Sequence, residues 1–295
     1  MLNHYYYAFT CEGDLIYQGI NENAARLLKN KNMDFNTSGA IIFNSNTQVQ
    51  RLIEVQQDLL VRLVSERRDW EQNEKIAKDE WTKRYNILTN PNIDEREKIR
   101  AKGTVAGCEE ADADAVYWGE QILINFCQQR AAKETKLVID GPNNGLAKLN
   151  NNCVLSILGH GNKQLAELTS NSSKTNPISI SIIDLAALLK NSHLTREFMH
   201  FRLTACAGAE YRAIERAEVC AKSSMHFVEV MDNPNSISRT SMAGQLLLAL
   251  RETFGSAVVK AYPGESIMLP RVDGVMAVRI NGEYYQRGRV ALTFR

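Results

Sequence analysis

Between residues 110 and 262, short apolar runs alternate with stretches of helical periodicity, and this alternation constrains the fold more than any other feature. The runs are 136–140, 154–158, 201–205, 226–230 and 257–262; helical patterns occupy 110–131, 185–190, 209–221 and 241–254. Runs of four to eight apolar residues bounded by glycine or turn residues are buried strands. Strands that alternate with helices pair in parallel, with helices on both faces. The expected class is therefore α/β, a mostly parallel sheet flanked by helices. At 295 residues the chain can bury a sizeable core.

Outside that stretch the signals change. Residues 4–10 are aromatic and strand-like, and Leu15-Ile16-Tyr17 is expected to return as a hairpin across Glu12-Gly13-Asp14. A short helix is expected over 22–30 and a central strand over 39–43. Residues 51–103 carry 23 charged side chains, 12 basic and 11 acidic. Apolar residues there recur in helical steps at Leu52, Val55, Leu59 and Leu63, then at Ala77, Trp81, Tyr85 and Leu88. Asn90-Pro91-Asn92 breaks the pattern. These features predict a charged α-helical hairpin inserted or appended at 46–103, between N-terminal strands in 1–45 and a core over 104–295. Trp70, Trp81 and Tyr85 are expected to pack within it. The helix over 110–131 should turn Val116, Ile122, Leu123, Phe126 and Cys127 to the core. Ser181 begins a capping box, Gly255 suits the end of the last helix, and Asn281-Gly282 marks a hairpin near the end of the chain.

Composition excludes some functions. A net charge of +1, from 35 basic and 34 acidic residues, gives no general attraction to nucleic acid or anionic membrane. No apolar run approaches the roughly 18 residues of a membrane span, and residues 1–7 show no basic-then-apolar signal pattern. Six cysteines, Cys11, Cys108, Cys127, Cys153, Cys206 and Cys220, lie far apart with no C-x-x-C pair, as thiols of a reducing compartment do. A cytoplasmic site of action is expected, although export by a non-classical route leaves no mark of this kind. No phosphate loop, dinucleotide fingerprint or zinc motif is present, so no cofactor is expected. His193, His200 and His226 lack metal-ligand spacing, and 109–114 is an acidic helix start rather than a cation site.

Two of the apolar runs end on reactive side chains. Residues 154–158 lead to Gly159-His160-Gly161, and 201–203 lead to Thr204-Ala205-Cys206-Ala207-Gly208. In open parallel sheets, chemistry gathers beyond the carboxyl ends of the strands, so two neighbouring strands would bring His160 and Cys206 to one edge. A thiolate is a strong nucleophile, and an imidazole can take its proton and return one to a leaving amine. Small neighbours leave room for a substrate and free backbone N–H groups for an oxyanion. A cysteine at the end of an apolar run is commonly an inert core residue; His160 and the glycines beside it argue for chemistry. The remaining five cysteines lack that setting.

The ordered pair, strand-His160-Gly161 and, 46 positions later, strand-Ala205-Cys206-x-Gly208, resembles the caspase-like (clan CD) cysteine peptidases. The likeness covers about residues 135–262. It departs from the caspase signature at Thr204, where caspases have glutamine, and at Ala207. The resemblance implies a hydrolase with a Cys206–His160 dyad and an oxyanion hole made by the amides of Gly161 and Cys206. It also implies that Thr204 lines the pocket for the substrate residue before the cut. By position, Asp140 and Asp232 are the charged candidates for that pocket and would favour a basic side chain. A protein or peptide substrate is implied, with the 46–103 helices as a place for a regulatory protein. Two alternatives stay open: a non-catalytic interaction protein on the same fold, and another cysteine acyl-transfer enzyme such as a deamidase or isopeptidase.

Overall fold

A computed structural model describes residues 2–92, 94, 96, 102–161, 166–171, 177–205, 229–231, 241–262, 265–266, 270–271, 273–280, 283–287 and 291–294. In chain order its strands begin with β1 (Asn3–Ala8), β2 (Ile41–Phe43), β3 (Leu137–Ile139), β4 (Cys153–Ile157) and β5 (His160–Gly161). Then come β6 (Glu167–Thr169), β7 (Ser179–Ser181), β8 (His200–Leu203), β9 (Glu229–Met231) and β10 (Val258–Ala261). The last are β11 (Glu265–Ser266), β12 (Ala277–Ile280), β13 (Glu283–Gln286) and β14 (Leu292–Phe294). The helices are α1 (Gly13–Lys29), α2 (Val49–Thr89), α3 (Lys102–Glu134), α4 (Ile182–Lys190) and α5 (Met242–Arg251).

Eight strands form one sheet in the order β3-β2-β1-β4-β8-β10-β14-β9. The first six are parallel; β14 pairs antiparallel with β10, and β9 runs parallel to β14. The expected mostly parallel α/β sheet is therefore present. From β1 the chain steps one way to β2 and β3, then returns to β4 on the other side of β1 and proceeds to β8 and β10. Strand order reverses between β1 and β4, which is where open α/β sheets form their ligand crevices. Right-handed crossovers place helices on opposite faces across such a reversal. Accordingly α1 packs with α2 and α3, and α4 packs with α5. Phe201 of β8 meets Phe198 and Phe254 edge-to-face on the α5 side, with ring centroids 5.1 and 5.5 Å apart. Two three-stranded sheets, β5-β6-β7 and β11-β12-β13, complete the architecture. β12 and β13 pair antiparallel with Ile280 opposite Glu283, and the turn expected at Asn281-Gly282 lies outside the described residues.

Residues 13–29 form one helix, where a hairpin return was expected at Leu15-Ile16-Tyr17. Leu15, Ile16, Ile20, Ala24 and Leu27 are buried on the sheet at helical spacing. Gly19 permits the close approach: a Cβ there would lie 2.6 Å from Ile41 Cδ1. With its first crossover made by α1, β1 becomes an interior strand instead of half of a hairpin.

The charged helices also differ from expectation. Gln56 donates to Ala132 O at 2.7 Å, Asn125 donates to Leu63 O at 3.0 Å, and Gly119 lies beside Glu74, so α2 and α3 run antiparallel along one another. The pair extends to Glu134 and constitutes the β2–β3 crossover. Leu52, Val55, Leu59 and Leu63 are buried as expected. On α3, however, the buried positions include Asn125, Gln128 and Gln129, while Val116, Leu123 and Phe126 are exposed. Amide side chains fill this face because they bond to neighbouring helices: Gln129 donates to Leu63 O of α2 at 3.4 Å, and Gln128 donates to Asn21 Oδ1 of α1 at 2.8 Å. Trp81 stacks on Tyr85 at 5.0 Å, and Tyr85 is 48% exposed, so this ring pair is not core.

Candidate active site

Strands β4 and β8 are direct parallel neighbours, with Ile157 opposite Leu203. The segments that follow them leave the sheet from the same edge at the strand-order reversal. Thr204 continues the pairing: its N–H donates to Ile157 O at 3.1 Å and its hydroxyl to the same oxygen at 2.6 Å. Leu158 N–H donates to Tyr7 O at 2.9 Å, fastening the β4 exit to β1 as well.

Gln18 of α1 ties the two exits together. Its Oε1 accepts from Gly159 N–H at 3.0 Å, and its Nε2 donates to Thr204 O and Oγ1 at 3.4 and 3.5 Å. Gln18 is itself buried. Gly159 must be small, since a Cβ would sit 3.0 Å from Leu168 Cβ on β6.

His160 begins β5 and pairs with Thr169, whose hydroxyl donates to His160 O at 3.3 Å. Its side chain is buried, and Nε2 has no hydrogen-bond partner among the described residues. Burial pushes the imidazole below its usual pKa of 6.5; the Asp14 carboxylate, one helical turn before Gln18, opposes that shift. The ring is thus neutral at neutral pH, with Nε2 unpartnered among the described residues. Gly161 follows in β5, opposite Leu168.

The other expected site residues separate into three groups. Cys206 and Asp232 lie outside the described residues; Ala205, adjoining Cys206 in sequence, is the last described residue on that exit. Thr204 is at the site, but its side chain is fully buried and its hydroxyl committed to Ile157, so it does not line an open pocket. Asp140 is not brought to the site. It follows β3, three strands from β4, a separation of about 14 Å at ordinary strand spacing. Its buried carboxylate accepts from Leu146 N–H at 2.8 Å and from His193 N–H at 3.2 Å, and its Oδ2 lies 3.0 Å from His193 Nδ1. Asp140 therefore anchors local structure, and its position at a strand end did not reveal that the strand was at the sheet edge.

Gln18 and Asp14 escaped the sequence reading because their segment was taken for a strand. Their four-residue spacing on a helix carrying Ile16, Ile20 and Ala24 was the available signal. Cys11, Cys127 and Cys153 are free thiols, and burial raises that of Cys127. Among the described residues no cluster of three or more His, Cys, Asp and Glu could hold a metal ion, and no helix is long and apolar enough to cross a membrane.

No protein-family model, curated protein or solved structure matches the chain.

Proposed function

We propose that the protein is a caspase-like cysteine endopeptidase acting on a protein substrate through Cys206 and His160. His160 takes the Cys206 thiol proton and becomes imidazolium; the resulting thiolate sulfur attacks the scissile carbonyl carbon, and the carbonyl π electrons move to oxygen. The amides of Gly161 and Cys206 receive that oxyanion. As the C–N bond breaks, the imidazolium of His160 delivers the proton to the departing amine. Water, deprotonated by the now neutral imidazole, then attacks the thioester carbon; the C–S bond breaks, the acid product leaves, and the imidazolium returns its proton to the departing thiolate.

The observation that carries this reading is a buried imidazole with an unpartnered Nε2, placed beside the strand exit that leads into Cys206. The His160–Gly161 and Ala205–Cys206 motifs support it. The free thiols Cys11, Cys127 and Cys153 suit action in the reducing cytoplasm. A second reading, a non-catalytic interaction protein, draws on the exposed apolar side chains of α2 and α3, among them Val61, Ile76 and Val116. In an enzyme the same surface is the place for a regulatory protein.

The deciding experiment exposes a proteome-derived peptide library to the protein and reads the products by mass spectrometry. New backbone termini that vanish in both Cys206→Ala and His160→Ala variants are expected. Side-chain deamidation without cuts would move the assignment to another acyl-transfer enzyme, and an unchanged library would overturn the enzymatic reading.

A further inference from the structure

A second feature lies on the opposite half of α1 and owes nothing to the strand-end chemistry. Register pairs Tyr6 with Ser156, Ser156 with Arg202, and Arg202 with Lys260, so a polar row crosses four adjacent parallel strands. The interior of such a sheet is ordinarily a run of Val, Ile and Leu. Like charges directly opposite one another on neighbouring strands repel, and Arg202 and Lys260 are such a pair. Ser156 Oγ and Arg202 Nε are buried and lack hydrogen-bond partners among the described residues.

Tyr6, Arg202 and Lys260 of this row line a cavity of about 310 Å³. α1 contributes Glu22, Arg26 and Lys29 to its wall, and Arg287, directly after β13, borders it from the small sheet. The lining holds five basic side chains and one carboxylate, in a chain whose total charge is only +1. That carboxylate is already committed: Glu22 forms a buried ion pair with Arg287, whose guanidinium also lies 5.0 Å over the Tyr262 ring. Arg26 donates to neutral partners, Ser38 Oγ at 2.7 Å and Asn23 Oδ1 at 3.5 Å. Arg26, Lys29, Arg202 and Lys260 form no ion pair with any described residue, so among those residues four basic side chains face one space without a paired carboxylate. His4, also in the lining, is pushed down to about 3 by burial and then by Arg202 and Arg26, so it adds no charge at neutral pH.

We infer that this cavity is a binding site for a compact polyanion of the phosphate-ester class. Multivalent phosphate matches the arrangement: guanidinium groups meet phosphate oxygens with directed N–H donors and lysines supply point charge. The bound oxygens give Arg202 Nε an acceptor, and their charge removes the repulsion between Arg202 and Lys260. Size favours a small molecule over a nucleic acid strand, because the space bounded by the sheet, α1 and the β12–β13 pair measures only about 310 Å³.

Isothermal titration calorimetry of the full chain with inorganic tripolyphosphate tests this. One saturable site is expected, with affinity falling as salt is raised and ranking above orthophosphate. Arg202→Gln and Lys260→Gln should each weaken binding by about fivefold or more, and Lys75→Gln, on the exposed side of α2, should leave it unchanged. Thermal melts keep the test independent of whether Arg202→Gln folds: tripolyphosphate should raise the wild-type melting temperature, and Lys260→Gln, free of the opposed charge, should melt no lower than wild type without the anion and gain less with it. No saturable binding at about 1 mM tripolyphosphate would overturn the inference. So would a loss smaller than about fivefold in Lys260→Gln, which would assign the binding to dispersed surface charge.

Discussion

Replacing Gln18 with methionine tests whether α1 holds the two strand exits together. Methionine keeps the length and nearly the volume of glutamine, so little cavity is created. What is lost is the acceptor for Gly159 N–H at 3.0 Å and the donor toward Thr204. The bonds to Thr204, at 3.4 and 3.5 Å, lie at the limit of hydrogen-bond geometry and contribute little. The orphaned Gly159 N–H dominates, and leaving a buried donor unsatisfied costs about 1–3 kcal/mol. We expect urea unfolding of Gln18→Met to show a loss near 2 kcal/mol, on the order of that penalty, with an unchanged denaturant slope. Gly159 precedes His160, so the freed exit displaces the imidazole. A misplacement of about 1 Å can cost on the order of 10²-fold in rate, expressed in kcat with KM little changed. Stability within about 0.5 kcal/mol of wild type, together with unchanged kcat, would refute the bridging role assigned to Gln18.

Three further outcomes follow from the same geometry. Glu22→Gln leaves Arg287 buried without its counter-charge and should cost about 3–5 kcal/mol in chemical denaturation; a loss under about 1 kcal/mol would contradict the buried pairing. Asp14→Asn removes the carboxylate that holds the His160 pKa up, so NMR titration should show that pKa falling further; a rise would contradict the placement of Asp14. His4 is depressed from 6.5 to about 3 in the fold, so the unfolded chain binds its proton first and the associated stability is lost as pH falls through that interval. At about 1.4 kcal/mol per pH unit the loss by pH 3 is at most about 5 kcal/mol. His4→Asn should flatten that part of the pH–stability curve, and an unchanged acid limb would contradict it.

How much of this was legible in sequence depended on whether local pattern decided the matter. β4 and β8 were readable because a continuous apolar run bounded by small residues has few other uses. Ser181 capping α4 was readable for the same local reason: its side chain accepts from Asp184 N–H at 3.0 Å. α1 was misread because Glu12-Gly13-Asp14 has turn chemistry and Gly19 interrupts the helical pattern. Gly19 is there for contact with Ile41 and Leu158, which no local pattern reveals. The inward side of α3 was misassigned because amides bonded across a helical seam replace the apolar stripe that periodicity seeks. Asp140 was misplaced because strand order, unlike strand existence, is set by long-range crossovers. Neither the polar row from Tyr6 to Lys260 nor the cation cluster above it could be seen before register joined residues up to 254 positions apart.

The central claim is most directly tested by the alkylation rate of Cys206. Iodoacetamide footprinting of the native chain, read by mass spectrometry at neutral pH, should modify Cys206 well ahead of Cys11, Cys127 and Cys153, and His160→Ala should abolish that selectivity. A Cys206 that reacts no faster than the other thiols, or equally fast without His160, would contradict the dyad.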